Sequence, residues 1–65
     1  MQDWIDAVAE GRTLSTDESE EAFHTIMRGD ASPVEVAAFL SAMKTRGETP
    51  EEVAGGVHAL RRVMV

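Results

Sequence analysis

Three glycines and three hydroxyl residues divide this chain at nearly constant spacing. Gly11, Gly29 and Gly47 stand 18 residues apart, while Ser15, Ser32 and Thr49 stand 17 apart. A glycine just past a helix end accepts positive φ without a Cβ penalty, and a Ser or Thr soon afterwards caps the free N–H groups of the next helix. Each pair therefore reads as a stop followed by a start, and the whole chain as four helices. Glu18, Glu35 and Glu52 each follow one of these hydroxyls at capping-box spacing, and Pro33 and Pro50 occupy first helical positions, where a missing N–H costs nothing.

Charge placement agrees with this punctuation. Asp17, Glu18, Glu35, Glu51 and Glu52 fall in first turns, and Arg28, Lys44, Arg46, Arg61 and Arg62 in last turns, each complementing the helix dipole. No stretch alternates as a strand would. The expectation is an all-α fold, a small four-helix bundle with helices near 2–10, 16–28, 33–46 and 50–63, forming a single domain over residues 1–65. The even rhythm is not a repeat array, because each unit is one helix and the known helical repeats are longer.

At 65 residues, a chain buries only about 60% of the surface its unfolded form exposes. It has no cysteine, so neither disulfides nor thiolate metal sites can staple it. Helix packing or a partner must supply the stability. A net charge of −6 repels phosphate backbones and anionic membranes, which argues against nucleic-acid and membrane partners. With no long apolar run and no basic start leading into an apolar stretch, neither a transmembrane helix nor a signal peptide is expected, and the expected location is cytoplasmic.

Helical periodicity then assigns faces. Met1, Trp4, Ile5 and Val8 form one stripe of the first helix, and Ala22, Phe23, Ile26 and Met27 one stripe of the second. The fourth groups Val53, Gly56, Val57, Leu60 and Met64 in the same manner, and its Gly55-Gly56 pair points to a close backbone approach. The third helix has two sides. Val36, Phe39, Leu40 and Met43 make a core stripe, while Val34, Ala38, Ser41, Ala42 and Thr45 form an uncharged opposite face. Four short helices have too little surface to cover both, so this second face is the candidate interface with another domain or subunit.

Chemistry-bearing constellations are missing. His24 and His58 stand among charged residues at helical spacing and read as solvated helix surface. No histidine pair has metal spacing, no nucleophile signature is present, and the glycines form no phosphate-binding loop. Asp30-Ala31-Ser32-Pro33 lacks the ligand register of a calcium loop, and the Asp-Ser-Leu motif of an acyl carrier protein is absent. No catalytic, cofactor-binding or metal-ligating residue is expected in this chain.

The segment running from Ala31-Ser32-Pro33-Val34-Glu35-Val36-Ala37-Ala38-Phe39-Leu40 through Arg46-Gly47-Glu48-Thr49-Pro50-Glu51-Glu52 to Gly55 resembles the N-terminal helical domain of the anthranilate phosphoribosyltransferases. Leu14-Ser15-Thr16-Asp17-Glu18, with Ala22-Phe23 and Ile26-Met27-Arg28-Gly29, is similar to the same family. That resemblance implies an enzyme of tryptophan biosynthesis that joins anthranilate to phosphoribosyl pyrophosphate with magnesium. It implies that the catalytic loops lie in a separate α/β domain, so that this chain is a fragment without transferase activity of its own. It further implies a homodimer formed through N-terminal helices, which move relative to the α/β domain around the cleft. The helical domain of a pyrimidine nucleoside phosphorylase, a paralogue with another substrate, and an autonomous acidic adaptor binding a partner helix stand as alternatives.

Overall fold

A computed structural model describes residues 1–64 of the chain. It contains α1 (Gln2–Ala9), α2 (Thr16–Met27), α3 (Pro33–Arg46) and α4 (Pro50–Val63). The last two match the expected bounds, and the first two end one residue earlier than expected. All three capping boxes form. The hydroxyls of Ser15, Ser32 and Thr49 each accept the N–H of Glu18, Glu35 or Glu52 at 3.1 Å, and each glutamate accepts the cap residue's own N–H at 2.9 Å.

The stops behave as their glycines require. Gly11, Gly29 and Gly47 have φ of 89°, 81° and 91°, where an L side chain would be strained. The chain reversal lets Arg12 N–H reach Ala7 O and Asp30 N–H reach Thr25 O, satisfying carbonyls that the helix ends leave free.

The helices pack as two pairs, α1 against α3 and α2 against α4. A shared core of Ile5, Ala7, Val8, Leu14, Ala22, Phe39 and Met43 joins them, with Met1, Trp4, Phe23, Ile26 and Ala42 half-buried around it. Phe23 meets Phe39 edge to face, ring centroids 5.7 Å apart, linking α2 to α3.

The close approach expected at the glycine pair occurs at Gly55. A Cβ there would lie 2.6 Å from both Ser19 Cβ and the Thr16 carbonyl oxygen. This contact decides which side of α4 is buried. Glu52, Gly55 and Ala59 face inward, and the stripe of Val53, Val57, Leu60 and Met64 faces out, with Val53 55% and Met64 71% exposed. The apolar stripe of α4 is therefore not its core face. A narrow strip of small residues lets the α4 backbone settle on α2, whereas a row of Val and Leu would hold the helices apart. Leu40 likewise leaves the expected core stripe of α3 and is 45% exposed, Phe39 and Met43 being the residues that enter. Met27, at the end of α2, is also exposed rather than packed.

Candidate functional site

Two surfaces and one buried carboxylate carry what the fold offers. The first surface is an apolar groove of about 330 Å³ between α2 and α4. Phe23, Met27, Val53, Gly56, Val57 and Leu60 line it together with Met43 from α3, and Glu48 and Glu52 mark one end. It exists because α4 turns its small residues to α2 and leaves its branched aliphatics beside the seam.

The second is a shallow groove of about 480 Å³ where α1 meets α3, lined by Val8, Ala9, Gly11, Ser41, Ala42, Thr45 and Arg46. It takes in three of the five residues expected to form an interface, Ser41, Ala42 and Thr45. Val34 and Ala38 lie outside the lining, exposed, with Val34 at 78%. Ala42 is half-buried and packs against the core, so it belongs to both sides of the helix.

The histidines sit on the surface. His24 Nδ1 lies 3.2 Å from an Arg28 guanidinium nitrogen, and His58 Nδ1 lies 3.6 Å from a Glu20 carboxylate oxygen. Arg62 donates to Glu20 and Glu21, tying the end of α4 to α2 through exposed ion pairs. Such pairs contribute little, typically about 0–1 kcal/mol. Among the described residues no three His, Asp or Glu side chains gather closely enough to hold a metal ion.

The feature that reading the sequence missed is Glu52. Its placement three residues after Thr49 accounts for its capping bond but not for its burial, which is complete. One carboxylate oxygen accepts the backbone N–H of Leu14 at 2.8 Å, and the other accepts the Thr49 N–H and the Nη2 of Arg46. Its main-chain carbonyl accepts the hydroxyl of Ser19, itself fully buried, at 2.7 Å. Burial pushes the Glu52 carboxyl up, but the bonds from Arg46, Leu14 and Thr49 and the charge of Arg46 together outweigh it and hold the group below its ordinary value. The Arg46 Nε is buried without a partner among the described residues. Only one signal could have indicated this arrangement: Arg46 stands six residues before Glu52, across a turn short enough to let the two meet.

Against this geometry the family relationship is decisive. Residues 2–64 match the family described as glycosyl transferase family, helical bundle domain. This chain belongs to that family. Its membership agrees with four helices, three of which open on a capping box. An anthranilate phosphoribosyltransferase of Gluconobacter oxydans is 54% identical over 54 residues, which is 83% of this chain and 15% of that protein. The enzymes of the same name from Mesorhizobium japonicum and Rhizobium rhizogenes are 46% and 38% identical, over 94% and 100% of this chain and 18% and 19% of their own lengths. The chain of this glycosyl transferase helical bundle thus spans less than a fifth of the curated relatives it matches. No solved structure matches it. The resemblance drawn from the capped segments is therefore upheld by relatives that cover nearly the whole chain.

Proposed function

We propose that this chain is the accessory helical domain of an anthranilate phosphoribosyltransferase, an enzyme that transfers phosphoribosyl from phosphoribosyl pyrophosphate to anthranilate in tryptophan biosynthesis in the cytoplasm. Its role is to build the dimer and to close the cleft, the chemistry being done by an α/β domain elsewhere in the longer enzyme. The observation that carries this reading is the combination of matched relatives with two uncovered faces. A chain with a thin inventory of reactive groups devotes its surface to an apolar groove and a small-residue groove. In this reading a second copy covers the α1–α3 side, with Val34, Ala38, Ser41, Ala42 and Thr45 as its contact face, and the enzyme's own later segments fill the groove between α2 and α4. In this reading the magnesium of the parent enzyme belongs to the α/β domain and not to this chain.

The test is the molar mass of the chain across a concentration series by sedimentation equilibrium, with Ala38→Glu beside the parent sequence. Ala38 is exposed and outside the core, so its substitution separates association from folding more cleanly than Ala42→Glu, which also disturbs core packing. Dimerisation weakened at least about tenfold, with circular dichroism unchanged, is the expected result. An Ala38→Glu chain that associates like the parent removes this face as the dimer contact. The transferase reading has its own check: a full-length polypeptide carrying this domain converts anthranilate and phosphoribosyl pyrophosphate, and the isolated chain does not.

A further inference from the structure

Glu52 is the only fully buried charged side chain among the described residues. Its carboxylate holds three parts of the chain at once: the α1–α2 strap through Leu14 N–H, the end of α3 through Arg46, and the head of α4 through Thr49 N–H. Leu14 is 38 residues away in sequence. In the strap, Gly11, Arg12, Thr13 and Ser15 are exposed and Leu14 alone is buried. Apart from its local bonds to the neighbouring ends of α1 and α2, this strap is tied down by the buried Leu14 side chain and by the Leu14 N–H bond to Glu52.

Three donors converge on this carboxylate, and an ionised carboxylate can accept from all of them. A neutral carboxylic acid holds them less well, because it loses the charge that strengthens all three bonds and one oxygen then carries a hydrogen. Among the described residues, Arg46 is the one charged group bonded to it. Across from α2 it meets Ser19, whose hydroxyl bonds its main-chain oxygen, and from the strap it meets only the Leu14 backbone. No titratable side chain of α1 or α2 is bonded to it.

We propose that the ionised Glu52 carboxylate is a clasp fastening the strap and the end of α3 to the head of α4, and that its protonation frees the strap and α1 while α2 and α4 stay together. The α2–α4 contact does not depend on that charge. It rests on the close approach of Gly55 to Ser19 and Thr16 and on a main-chain oxygen of Glu52 that does not titrate. α1 is the shortest helix, with 8 residues and no side-chain cap, so once the strap is loose its own hydrogen bonds hold it poorly. The clasp also keeps the α1 wall of the shallow groove, Val8 and Ala9, facing Ser41 and Thr45.

The sign of the pH dependence follows from the depressed titration. The clasp is fully formed above the ordinary carboxyl value of 4.5 and is lost as pH falls through the lower folded midpoint. The experiment is an NMR titration of the isotope-labelled chain, following the Glu52 side-chain carbonyl carbon and the backbone amides. The Leu14 amide is expected to shift with the same midpoint as Glu52, and α1 amides to lose exchange protection there while those of α2 and α4 keep theirs. In Glu52→Gln, whose amide NH₂ turns donors toward donors, the Leu14 amide exchanges about tenfold faster or more at neutral pH and the acid step disappears. A Leu14 amide that titrates with another midpoint or not at all overturns the proposal, as does simultaneous loss of protection in α1 and α4. An unchanged Leu14 exchange rate in Glu52→Gln does the same. Should that variant fail to fold, the shared midpoint in the parent chain decides alone.

Discussion

Where α1 meets α3, Ile5, Val8, Phe39 and Met43 belong to one buried apolar cluster. Where α2 meets α4, Gly55 closes on Ser19 and the Thr16 carbonyl, Ala22 and Ala59 are fully buried, and the Ser19 hydroxyl bonds the Glu52 main-chain oxygen. The two pairs pack in opposite ways. Bulk makes the first contact and its absence makes the second, since small side chains let backbones approach until polar atoms can bond across the gap. The difference has a functional side: a seam closed by small residues leaves α4's valines and leucine free to line a groove, whereas the α1–α3 contact consumes its large side chains.

The sharpest break is expected at the hydrocarbon contact. Phe39→Ala removes a fully buried ring that also touches Phe23, and should cost about 3–5 kcal/mol. In a domain this small, thermal denaturation followed by circular dichroism should then show little folded chain at 25 °C. A melt shifted by only a few degrees would mean that the α2–α4 seam, rather than this core, holds the bundle.

The seam is tested by adding one methyl group at adjacent positions. Gly55→Ala places a carbon 2.6 Å from the Thr16 carbonyl oxygen and should destabilise by about 1–3 kcal/mol despite a better helix propensity. Gly56→Ala meets only the Phe23 ring at 3.5 Å, an ordinary contact, and should stabilise by about 0.5–1 kcal/mol. Urea unfolding of the two variants should therefore move in opposite directions. Equal shifts would show that helix propensity, not backbone approach, governs α4.

The smallest effect on folding is expected in the groove. Leu60 is 46% exposed, so Leu60→Lys should change stability by no more than about 0.5 kcal/mol while lowering the binding of a hydrophobic dye such as anilinonaphthalene sulfonate. A large loss of stability would place Leu60 in the core after all. It would also return the apolar stripe of α4 to the role that its periodicity implies.

That stripe shows where sequence reading reached its limit. Helix existence, order and ends were legible, because capping boxes, N1 prolines and C-terminal glycines act within about one turn of the chain and depend on no distant residue. The need for a close approach at the Gly55-Gly56 pair was legible too, though not that Gly55 makes it, since two adjacent glycines in a helix have a propensity cost that packing must offset. Which face of α4 was buried could not be read the same way. Periodicity reports that Val53, Val57 and Leu60 share a side, but choosing between that side and the one carrying Glu52, Gly55 and Ala59 depends on the surface of α2. The uncharged outer side of α3 was visible in outline. Its division into a groove wall at Ser41, Ala42 and Thr45 and open surface at Val34 and Ala38 follows from where α1 lies.

By itself, then, the sequence determined four helices with defined starts and stops and a strong family resemblance, all properties of short segments or of residue identity read along the line. The tertiary structure alone decided that α4 docks by its small residues and that the Glu52 cap is also a buried bridge between Leu14 and Arg46. The reason is one of range: a cap involves residues three apart, while the carboxylate's partner at Leu14 is 38 residues away and comes within 2.8 Å only when all four helices are in place.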